Sequence, residues 1–200
     1  MRIIYIAFLI GIAAACSTKK DSTSKVFSSR EELYKRKIFI DTLFQRNLKQ
    51  LTVLVKVPNQ DTLIEVIHEK WPNEIEVTFN ILKNTSGKII RISEYPFSES
   101  GDWEIVYSHY FDDNGNTFAF EKQVGAFNTI CPGEDDFDKF TIEKVTKLYS
   151  LDHAMIDSTY KMMDEKNVDI TSKKCEQEVI SNNSVFKTLK EYSTIKKINI

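Results

Sequence analysis

Apolar positions early in the chain recur at helical spacing, and those in the centre recur every second residue. Ser29-Arg30-Glu31-Glu32 has the Ser-x-x-Glu form of a capping box. Ile40, Leu43, Phe44, Leu48 and Leu51 follow along one helical stripe, so the pattern predicts an amphipathic helix over about residues 29–50. Leu51 to Val57 (LTVLVKV) is rich in β-branched residues, stops at Pro58 and predicts a strand. In EIEVTFNIL, Ile75, Val77, Phe79 and Ile81 alternate with Glu74, Glu76, Thr78 and Asn80, the pattern of a strand with one core face and one wet face. Asn84-Thr85-Ser86-Gly87 is a turn and KIIRISEYP a returning strand that ends at Pro96. WEIVYSHYF and NTFAFEKQV form a further hairpin around Asp112-Asp113-Asn114-Gly115, where Asn-Gly accepts positive φ at little cost.

Three stretches are less decided. Residues 62–71 (TLIEVIHEKW) place Leu63, Ile64, Ile67 and Trp71 on one helical face but are short, and Val66 fits that face badly. Residues 142–163 read as two strands around Ser150-Leu151-Asp152-His153, or as a helix through Leu151, Met155, Ile156, Tyr160 and Met163, with strands favoured. Residues 184–195 (SVFKTLKEYSTI) predict a short helix. The expected architecture is α+β: an antiparallel β-meander with one face covered by the N-terminal amphipathic helix.

The chain of 200 residues is long enough for one domain with a real core. Composition is 42% hydrophobic and 28% charged with a formal net charge of -2, which gives no electrostatic footprint for nucleic acid. Arg2 precedes an unbroken run of apolar or small residues, Ile3 to Ala15, and the polar STKKDSTSK begins just after it. A membrane-spanning helix needs roughly 18 or more apolar residues, so this run fits a secretory signal instead.

Ala13-Ala14-Ala15-Cys16 resembles the lipobox of bacterial lipoproteins, although Leu is commoner than alanine at the place of Ala13. The resemblance covers residues 1–17. It implies cleavage before Cys16, acylation of that cysteine and a location in the cell envelope. Ser17, where Asp would favour inner-membrane retention, leans the expectation towards the outer membrane of a two-membrane cell. The expected organisation is a signal peptide at 1–15, a flexible lipid-anchored tether at 16–28 and a single α+β domain at 29–200, similar in type to small envelope lipoproteins. Each buried methylene of an acyl chain contributes about 0.8 kcal/mol, so two or three chains hold a protein durably.

With Cys16 assigned to lipid, Cys131 and Cys175 form an even pair in an oxidising compartment and are a disulfide candidate; two buried free thiols are the alternative. No catalytic residue, metal site or cofactor is assigned. From Asp112, the sixth and twelfth places of a calcium loop fall on Thr117 and Gln123, neither of which fits. Glu134-Asp135-Asp136 with Asp138 is read as a solvated acidic loop. His68, His109 and His153 lack metal-ligand spacing, and Ser98-Glu99-Ser100-Gly101 lacks a nucleophile elbow. Tyr95, Phe97, Trp103 and Tyr107 surround the FSESGD loop and are the candidate binding loop, against their reading as core or cross-strand pairs. The expected role is a non-enzymatic binding module tied to a membrane, with a protein or small ligand as partner and no nucleic acid. Its alternatives are an immunity or inhibitor-type lipoprotein acting on a toxin or envelope enzyme, and a small envelope hydrolase.

Overall fold

A computed structural model of the chain describes residues 29–133, 139–181 and 184–199. The expected signal peptide and tether, with Cys16, lie outside the described residues, and so do Glu134, Asp135, Asp136 and Asp138. The described chain is α+β, one antiparallel sheet with two α-helices.

Helix α1 is Arg30–Arg46. Its start is fixed by reciprocal capping: Ser29 Oγ accepts the Glu32 N–H at 3.2 Å, and the Glu32 carboxylate accepts the Ser29 N–H at 3.5 Å. The Asn47 side chain and backbone both donate to the Leu43 carbonyl and end the helix short of the expected residue 50. A 3-10 turn, Leu48–Gln50, carries the chain onward. Leu48 is therefore 54% exposed and off the buried stripe, which runs through Leu33, Lys37, Ile40 and Phe44.

The strands are β1 (Thr52–Lys56), β2 (Ile64–Glu65), β3 (Val77–Lys83), β4 (Ile89–Pro96), β5 (Trp103–Phe111), β6 (Thr117–Ala126), β7 (Thr141–Tyr149) and β8 (Met155–Asp164). They form one eight-stranded sheet in the order β2-β1-β3-β4-β5-β6-β7-β8. From β3 onward this is a plain meander: short links at 84–88, 97–102, 112–116 and 150–154 return the chain beside the strand it left, and a longer stretch, 127–140, joins β6 to β7. Of residues 62–71 only Ile64 and Glu65 join the sheet; residues 142–163 take the hairpin alternative. Helix α2 (Leu189–Lys196) is capped by Thr188 Oγ1, which accepts the Glu191 N–H at 3.1 Å.

Consecutive strand residues face opposite sides, so both faces can be read off the packing. Leu82, Ile90, Tyr110, Phe118 and Leu148 meet Leu33, Ile40 and Phe44 of α1. Phe79, Ile81, Ile92 and Phe111 meet Phe186, Tyr192 and Ile198 of the C-terminal segment. The expectation of a wet second face is thereby corrected. Val77, Phe79 and Ile81 point away from α1 and are roofed by α2. The physical reason is that β3 to β5 carry large apolar residues on both sides, and each side needs a cover. A register slip at Lys83↔Ile89 lets both Ile90 and Arg91 face α1.

The rest of the second face is held by the chain between β8 and α2. Cys131 and Cys175 are joined by a disulfide, and Ile130 and Glu176 bridge as a short antiparallel pair beside it. The Gln177 side-chain amide donates to the Val124 carbonyl at 3.2 Å and to Thr141 Oγ1 at 2.9 Å.

Candidate functional site

The densest polar constellation lies between α1 and the sheet. Lys37, 5% exposed, donates to Asp41 at 2.8 Å and to Glu121 at 2.6 Å. Arg91, 7% exposed, donates to Asp41 at 3.0 Å, to Ser93 Oγ at 3.0 Å and to Ser108 Oγ at 3.1 Å. The Tyr110 hydroxyl donates to Asp41 at 2.7 Å, and the Thr146 hydroxyl to Glu121 at 3.1 Å. Burial pushes the Glu121 carboxyl up, but Lys37 and Lys144 together with the hydrogen bonds from Lys37 and Thr146 outweigh it, and the group ends below its ordinary value. Burial pushes the Tyr110 phenol well above its ordinary value. Every charge here faces an opposite one, so the group works as a closed latch that fixes how α1 sits on the sheet.

A second constellation lies under α2. Glu94, 7% exposed, accepts from the Tyr192 hydroxyl at 3.1 Å and from Lys196 at 2.6 Å. His109, 1% exposed, sits among Phe111, Phe120, Phe186 and Tyr192. Its Nε2 accepts the Phe186 N–H at 3.3 Å, so the ring proton resides on Nδ1, which has no partner among the described residues. Burial, then Lys196 and His153, lower its pKa to about 3, and the ring is neutral at physiological pH. Open pockets flank α2. One of about 510 Å³ lies between Leu54, Lys83, Lys88, Asp113 and Leu189; a second, of about 530 Å³, lies between Lys56, Asp61, Phe79, Glu94 and Lys197. The cations at the second pocket are already paired, Lys56 with Glu76, Lys196 with Glu94 and Lys197 with Asp61.

The candidate binding-loop residues do not share one patch. Tyr95 pairs with Thr78 and, like Arg91 and Ser93, faces the α1 side; burial raises its phenol pKa. Trp103 and Tyr107 pack with Ile105, Val124 and Val179 on the other side. Phe97, 60% exposed, stands at the end of β4. The Asp112 oxygens accept the Asn114 and Asn116 amides at 2.9 and 2.8 Å, and Gly115 adopts φ 81°, so turn geometry accounts for this acidic run. His153 stacks on Tyr149 at 4.4 Å, away from His68 on its loop. Among the described residues no three His, Cys, Asp or Glu side chains converge as metal ligands.

The latch was not anticipated from sequence. Its signal was Lys37 and Asp41, spaced i,i+4 and flanked by Leu33, Ile40 and Phe44 on the buried stripe, where a surface pair has no place.

The outward side of α1 carries Tyr34 (49% exposed), Ile38 (49%) and Phe39 (60%). At the start of this helix Arg30 pairs with Asp157 of β8 at 2.6 Å, so the chain enters the fold at the sheet's outer edge. No family model, curated protein or solved structure matches the chain.

Proposed function

We propose that the chain is a lipid-anchored cell-envelope protein, tied to the membrane through Cys16, whose folded part is a non-enzymatic interaction module. The observation that carries this reading is the apolar run Ile3 to Ala15 closing on Ala13-Ala14-Ala15-Cys16, followed at once by polar chain. Ser17 favours the outer membrane where the cell has two. An interaction role is supported by the way the buried ionisable groups are spent on one another, as Lys37, Asp41, Arg91 and Glu121 are. In this reading α1 is the cover of one sheet face and also the platform between anchor and sheet. The partner is a protein or small ligand reached in the aqueous envelope, and the small negative charge argues against nucleic acid.

Phase partitioning in a cloud-point detergent tests the anchor. The native chain enters the detergent phase, and Cys16→Ser moves it to the aqueous phase. Equal partitioning of the two chains contradicts the reading.

A further inference from the structure

Helix α1 buries Leu33, Lys37, Ile40 and Phe44 against the sheet and turns Tyr34, Ile38 and Phe39 outward. Single exposed apolar residues are ordinary on a protein surface; here Tyr34 and Ile38 are i,i+4 neighbours, and Phe39 stands across Lys35 from them on the same outward half of the helix. The charges on this side are matched: Lys35, which lies between Ile38 and Phe39 on the helix surface, pairs with Glu31 at 2.6 Å, and Arg30 pairs with Asp157 at 2.6 Å. Tyrosine and phenylalanine suit the headgroup boundary of a bilayer, where an apolar ring is buried and a hydroxyl stays wet.

The length of the chain before α1 names the occupant. Cys16 lies fourteen residues before Arg30. A chain of that length reaches at most about 50 Å, so an anchored Cys16 keeps α1 within that distance of the lipid. A short link converts a weak contact into an intramolecular one at millimolar effective concentration, and a small apolar patch then suffices.

From this geometry, and resting on the lipid-anchor reading, we infer that the Tyr34–Ile38–Phe39 face of α1 docks on the bilayer that holds Cys16. The matched charges make this docking apolar, so it needs no anionic lipid. The opposite sheet face follows. Leu82 and Ile81 are neighbours, yet one packs under α1 and the other under α2. With α1 on the membrane, α2 and the pockets beside it open towards water, on the side a partner can reach.

The test uses the chain purified from its native membranes, residues 16–200 in this reading, in phosphatidylcholine vesicles. Cys131 and Cys175 are joined and Cys16 carries lipid, so an added cysteine is the one reactive thiol. Ile38→Cys and the exposed α2 residue Lys190→Cys are each labelled with an environment-sensitive fluorophore. Docking predicts blue-shifted emission at position 38, quenched by nitroxide lipids, and water-like emission at position 190. Adding Tyr34→Ser and Phe39→Ser to Ile38→Cys abolishes the shift. If the chain floats with the vesicles but both labels report water, the docking inference is overturned and the anchor stands. If the chain neither carries acyl groups nor floats, the anchor reading fails and the docking inference falls with it.

Discussion

The Arg91 guanidinium lies 3.9 Å over the ring of Phe44 and donates to Asp41 at 3.0 Å, so one strand residue holds α1 through a ring and a charge together. Asp41 is also the acceptor for Lys37 and Tyr110. Asp41→Ala strips the anion from two buried cations, and Glu121 remains for Lys37 alone. Such a loss costs about 3 kcal/mol, at the low end for buried pairs because Asp41 itself is partly open to water. Urea denaturation reads this as a lower midpoint at unchanged slope. A change under about 0.5 kcal/mol, the scale of an ordinary surface substitution, contradicts the latch.

His109 makes stability depend on acid. Its folded pKa is lowered to about 3 by burial, while the unfolded ring titrates near 6.5. Between those values the unfolded chain binds a proton that the folded chain refuses, so stability falls as pH falls, by about 1.4 kcal/mol per unit. His109→Gln keeps an acceptor for the Phe186 N–H and removes the proton site. Between pH 6 and 5, above the range of ordinary carboxylates, the variant loses this slope. Parallel pH profiles for the two chains would show that His109 is not the source.

Tyr110 and Tyr192 act at the other end of the scale. Burial, with Glu94 beside Tyr192, raises both phenols well above their ordinary value. Above pH 10 the unfolded chain releases protons that the folded chain retains, so stability falls as pH rises. In a spectrophotometric titration of residues 16–200, which lack Tyr5 and hold seven of the eight tyrosines, these two ionise only as the protein unfolds. Tyr192→Phe also frees Glu94 of a hydrogen bond and costs about 1–2 kcal/mol. Smooth ionisation of all seven in the folded chain would refute the buried placement.

The disulfide closes a loop with a sequence separation of 44. Cross-linking a loop of that size stabilises by about 4 kcal/mol in the chain-entropy model. Cys131→Ala with Cys175→Ala lowers denaturation stability by that order. Hydrogen exchange then speeds first in residues 170–179, which bridge Ile130 to Glu176. Unchanged exchange there would mean that Gln177 and its neighbours hold the segment without the bond.

Legibility followed local pattern. Ser29 to Glu32 announced a helix start because its cap is made by those residues alone. The Asp112–Gly115 turn was readable for the same reason, with Asp112 serving amides two and four residues on. The second cover was hidden because Ile81 and Leu82 are both apolar, and alternation names only one wet face. The exact helix end is less legible, because Asn47, a weak signal in sequence, closes the α-helix by bonding back to Leu43 and a 3-10 turn runs on to Gln50. Partners across fifty or more residues, such as Arg91 and Asp41 or His109 and Phe186, leave no spacing to read. Tyr95, Phe97, Trp103 and Tyr107 are near in sequence, but strand alternation and chain direction divide them between faces.

Acylation of Cys16 is tested most directly by the intact mass of the chain purified from its native membranes. The expected mass is that of residues 16–200 plus two or three acyl chains. A chain that retains residues 1–15, or one cut elsewhere and free of acyl groups, contradicts it.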